Sequence, residues 1–101
     1  MYVKINGQEI PRNTLVSIFL APGGTAHASG EAVNEDDRNV VTKILHRLNE
    51  NERIEFELET HDLRRLHGAG FIQNIETGEL VEGASRLVKY SFRLQKAPRP
   101  L

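Results

Sequence analysis

Apolar and polar positions alternate along much of this chain, and a period of two predicts β-strands. Val3 and Ile5 flank Lys4, and Asn6-Gly7 follows at once. Asn-Gly suits a two-residue type I′ turn, whose two positions both need positive φ. The pattern predicts a hairpin with strands over 2–5 and 8–11, closed by Pro11, and a turn over 12–14. Residues 15–20 are apolar on both faces. They read as a strand buried on both sides, or on one side and in a subunit interface.

The period changes to 3.6 at Val40, Val41, Ile44, Leu45 and Leu48, which form one helical stripe. Asn34 is placed to cap this helix. Glu35, Asp36 and Asp37 open it, and Lys43, His46 and Arg47 close it, in keeping with the helix dipole. A helix over 35–49 is expected.

Strict alternation returns at 53–59, with Ile54, Phe56 and Leu58 inward and Arg53, Glu55, Glu57 and Glu59 outward. Thr60 or His61 reads as the cap of a short helix bearing Leu63 and Leu66 and ending at Gly68. Residues 71–75 read as a strand, 76–78 as a tight turn, 79–81 as the return strand and 82–85 as another turn. The last strand, 86–95, places Val88, Tyr90, Phe92 and Leu94 on one face. Lys89 and Arg93 lie on its other face. Opposite charges favour cross-strand neighbours, so this strand is expected to pair with 53–59.

Residues 21–33 interrupt the pattern with three glycines, a proline and small side chains. They read as a long loop, and loops of that length in a compact domain often bind something. Gly23, Gly24, Thr25, His27 and Ser29 are its candidate binding residues. A second candidate set is Lys89, Arg93, Lys96, Arg99 and Leu101. The expected fold is therefore α+β: an antiparallel sheet of hairpins, flat or curled into a partial barrel or sandwich, packed on one amphipathic helix. Residues 1–96 form the expected single domain. Residues 97–101, with two prolines, form an expected extended C-terminal arm.

Composition narrows the chemistry. The chain has 101 residues, 13 basic and 14 acidic, with a net charge of −1. No surplus positive field exists to drive non-specific nucleic-acid binding. Cysteine is absent, which excludes disulfides, thiolate metal sites and thiol nucleophiles. No apolar run reaches the roughly 20 residues of a membrane helix, and the N-terminus lacks the apolar core of a secretion signal. A cytoplasmic location, or incorporation into a virion-like assembly, is expected.

No motif rises to a reactive site. His27, His46, His61 and His67 lack metal-ligand spacing, and on one helix His61 and His67 would point about 120° apart. Pro22-Gly23-Gly24-Thr25 has no lysine where a phosphate loop requires one. Glu55, Glu57 and Glu59 read as the solvated face of a strand, and Tyr90 and Phe92 as core. No catalytic residue, metal or cofactor is expected.

The remaining features suit protein–protein assembly. In its coarse order of elements the chain resembles small virion or tail-tube-type subunits, whose sheets line a ring while a loop and a terminus link neighbours. A non-enzymatic structural subunit is the expected function, with copies of itself or other assembly subunits as partners. The alternative is a regulatory module that binds nucleic acid or an anionic ligand through the Gly-rich loop and C-terminal basic residues.

Overall fold

The computed structural model describes residues 1–83 and 85–97. Strand β1 (Tyr2–Ile5) turns at Asn6-Gly7 into the short β2 (Gln8–Glu9). A 3-10 turn (Arg12–Thr14) leads into β3 (Leu15–Ala21), followed by β4 (Thr25–Ala32) and the helix α1 (Glu35–His46). The chain continues with β5 (Arg53–Glu59), the long β6 (Arg65–Glu82) and β7 (Ser85–Lys96). All the strands join one seven-stranded sheet in the order β2-β1-β5-β6-β7-β4-β3, and every pairing is antiparallel. The sheet is open, and β2 and β3 are its edges.

One face of the sheet carries the core. Val3 and Ile5, then Ile54, Phe56 and Leu58, Ile72, and Val88, Tyr90, Phe92 and Leu94 are buried together with Val41, Ile44 and Leu45 of α1. Asn34 caps the helix by accepting from the Asp37 backbone N–H at 2.8 Å. Asn6 (φ 51°) and Gly7 (φ 80°) take the left-handed conformation that the type I′ turn needs.

Several expectations are corrected. Residues 25–32 are not a loop but β4, hydrogen-bonded on both sides, to β3 and to β7. Its buried positions are Ala26, Ala28, Gly30 and Ala32. They keep a period of two, but in side chains too small to stand out as a strand. Gly30 lies opposite Tyr90, and a β-carbon there would collide with the Tyr90 ring and the Thr14 carbonyl. The aromatic ring covers the glycine from the neighbouring strand.

No helix forms at 60–68. Thr60 to Arg64 make a tight turn in which the Thr60 N–H donates to the Arg64 carbonyl at 2.8 Å, and β6 starts at Arg65. The expected turn at 76–78 is instead the middle of one continuous strand. A bulge breaks the pattern there: Asn74 (φ 54°) and Ile75 together oppose Phe92, which shifts the alternation by one position. Strands β5 and β7 are not neighbours, since β6 lies between them. The β5 acids find other partners: Glu57 accepts from the Tyr2 hydroxyl at 2.9 Å, and Glu59 pairs with Arg65 at 2.7 Å. The helix ends at His46, short of the expected 49. Among the described residues nothing covers both faces of strand β3: Leu15 is buried, while Val16, Ser17 and Phe19 are exposed.

Candidate interaction surface

Parts of two candidate sets that lie far apart in sequence meet on one face of the sheet. Alternation sends Thr25, His27 and Ser29 of β4 away from the core, and does the same for Lys89 and Arg93 of β7. The register puts His27 opposite Arg93, Ser29 opposite Ser91, Glu31 opposite Lys89 and Thr25 opposite Gln95. Strand β3 adds Phe19 beside His27 and Ser17 beside Ser29, while β6 adds Gln73 beside Arg93 and Glu76 beside Ser91. Ser17, Ser29, Ser91 and Glu76 thus form one row across four strands, and Phe19, His27, Arg93 and Gln73 form the next. Between them lies a shallow hollow of about 270 Å³, with Phe19, His27, Arg93 and Glu76 among its walls.

The two cations of β7 on this face have different partners, one an acid and the other a neutral amide. Lys89 lies 3.6 Å from Glu31. Arg93 Nε donates to Gln73 Oε1 at 3.0 Å, and Gln73 Nε2 donates to Asn51 at 2.9 Å. Gly23 and Gly24 form the β3–β4 turn, which is tied down rather than free. The Lys96 N–H donates to the Gly24 carbonyl at 2.9 Å, and Gln95 Nε2 donates to the Gly23 carbonyl at 3.1 Å. Arg99 and Leu101, with the arm expected at 97–101, lie outside the described residues apart from Ala97.

The sheet edge beside this face is the more distinctive feature. Strand β3 reads Leu-Val-Ser-Ile-Phe-Leu-Ala and has no charged side chain, no proline and no glycine. It pairs only with β4 among the described residues, so its other side presents unpaired backbone groups. Val16 is 63% exposed and Phe19 is 62% exposed. Val16 is the extra residue of a bulge, since Leu15 pairs with Gly30 and Ser17 with Ser29. Beneath the edge, Thr14 is buried, donates its hydroxyl proton to the Pro11 carbonyl at 2.7 Å, and contacts the Tyr90 hydroxyl at 2.7 Å. With the Thr14 proton committed, Tyr90 is the donor in that contact. Burial raises the Tyr90 hydroxyl above the ordinary tyrosine range.

The sequence signalled β3 as apolar but not as an edge, because edge position depends on strand order. Gln73 and Glu76 carried no signal, since only the pairing register brings them beside Arg93 and Ser91. His61 is exposed in the turn before β6, and His67 faces Glu57 across β5 and β6, away from His27. Among the described residues no group of three or more His, Asp or Glu side chains is placed to hold a metal ion. No helix among them is long and apolar enough to cross a membrane. No family model, curated protein or solved structure matches the chain.

Proposed function

We propose that this chain is a non-enzymatic structural subunit of a homo-oligomer or multi-protein assembly, docking through its β3 edge. A virion- or tail-type particle is one such assembly. One observation carries the reading: a seven-residue edge strand without a single charge, with Val16 and Phe19 exposed. Proteins that stay alone blunt such edges with lysine, proline, extreme shortness or a covering segment. Among the described residues, β3 has a bulge at its start and none of these other devices. The apolar tip of the β6–β7 hairpin, where Leu80 and Val81 are exposed, offers a second contact.

The anion-binding alternative has less support. The residues it relies on are interleaved with acids on the same face: Glu31 beside Lys89, and Glu76 in the row next to Arg93. Net attraction for a polyanion needs a surplus of positive charge.

Size-exclusion chromatography with light scattering over a wide dilution series tests the proposal. A mass above that of one chain, falling on dilution, is the expected result. A single-chain mass at every concentration, together with salt-sensitive binding to an oligonucleotide, would favour the alternative.

A further inference from the structure

The β3 edge limits what can occupy it. Its unpaired backbone groups call for another strand. Its side chains are uncharged on both faces and apolar except for Ser17, so a charged strand would bury unpaired charges against them. The other free edge of the same sheet does not qualify: β2 has two residues, Gln8 and Glu9, and an ion pair between Glu9 and Arg12. Strand β3 itself does qualify, being uncharged along its whole length.

We infer that the occupant is β3 of a second copy, running antiparallel about a twofold axis at Phe19. This rests on the assembly role proposed above and names its partner. A twofold contact brings one patch onto its own copy, so self-complementarity is the requirement. The regular part of β3 beyond the bulge is Ser17–Ala21, and Phe19 is its midpoint. With the axis there, Phe19 faces Phe19 of the second copy on the polar face. Ile18 faces Leu20 of the second copy on the core side, and Ser17 faces Ala21. Phe19–Phe19 and Ile18–Leu20 match in polarity, Ser17 and Ala21 are both small and uncharged, no like charges are opposed, and both sheets continue as one. A head-to-tail contact from β3 to β2 gains only two residues of pairing, so closed twofold dimers win over rings at this edge.

The absence of cysteine makes the test clean. Directly opposed residues in antiparallel strands have Cα atoms about 4.5–5.5 Å apart, within disulfide range. Under mild oxidation Phe19→Cys should form a covalent dimer far faster than Leu63→Cys, an exposed position in the turn before β6. A mixture of Ser17→Cys and Ala21→Cys chains should cross-link as a heterodimer, while each alone should not; this arm serves if Phe19→Cys folds poorly. Phe19→Lys opposes two like charges and should weaken self-association at least about tenfold, with an unchanged circular dichroism spectrum. An oligomer whose mass is indifferent to Phe19→Lys, and whose β3 thiols cross-link no faster than Leu63→Cys, overturns this inference alone. A chain that is monomeric throughout overturns the assembly role as well.

Discussion

At one edge of the sheet, β2 offers two exposed residues, and the Glu9–Arg12 ion pair stands beside them. At the other edge, β3 offers seven residues and no charge. Both edges start from the same liability, a row of unpaired amides and carbonyls. The β2 edge is blunted by brevity: the Asn6-Gly7 turn sends the chain back, and Pro11 ends it at once. The β3 edge is braced instead. Behind it, Thr14, Gly30 and Tyr90 lock β4 to β7, so β3 is held in a fixed, extended shape. One edge is short and carries charge; the other is long, uncharged and braced from behind.

Breaking the brace should have the largest effect. Gly30→Ala pushes a methyl group into the Tyr90 ring and the Thr14 carbonyl, and overpacking of this kind costs about 1–3 kcal/mol. Urea unfolding should show a lower midpoint. Gly78→Ala, with nothing within 4 Å of the added carbon, is the control and should leave it nearly unchanged. On the opposite side, Gly7→Ala forces a left-handed φ of 80° on a residue with a side chain, at about 1–2 kcal/mol. That loss should appear in the same unfolding assay without altering self-association, because the proposed docking edge is β3, at the other side of the sheet.

Tyr90→Phe removes the hydroxyl contact with Thr14 and should cost about 1 kcal/mol near neutral pH. Its pH dependence has a definite sign. Burial raises the folded-state pKa of Tyr90, so the unfolded chain gives up this proton first. The stabilisation is complete below the ordinary tyrosine value of about 10 and is lost as pH climbs through the folded value. The gap between wild type and Tyr90→Phe should therefore narrow in alkaline solution, as read by thermal unfolding. The smallest effect belongs to Glu9→Gln. Its ion pair is exposed, and pairs of that kind contribute little; neither the unfolding midpoint nor the oligomeric state should move.

The elements legible in the sequence were those written in large side chains. Val3 and Ile5, the Ile54-Phe56-Leu58 series, the Val88-to-Leu94 series and the stripe on α1 each bury bulky residues at a regular period. Strand β4 has the same period, but in alanine and glycine, and at Gly30 the Tyr90 ring leaves no room even for a β-carbon. Small size hid the strand and made it look like a loop. The continuity of β6 was hidden by Asn74 and Ile75, which reverse the inward and outward parity midway. Strand order was not legible, because β5 and β7 each bury an apolar face whether or not they touch. The polar face is half legible: the sequence offers Thr25, His27 and Ser29 as one group and Lys89 and Arg93 as another, and only the register joins them.

The Asn74 bulge also separates two kinds of positional constraint. Upstream of it, β6 buries Gly70 and Ile72, so adding or losing one residue there would turn the wrong side chains toward the core. Downstream, every residue from Glu76 to Glu82 is exposed. Beyond Glu79, which still pairs with the buried Val88, neither strand of the finger buries a side chain among the described residues, so its reach is set apart from the packing of the interior.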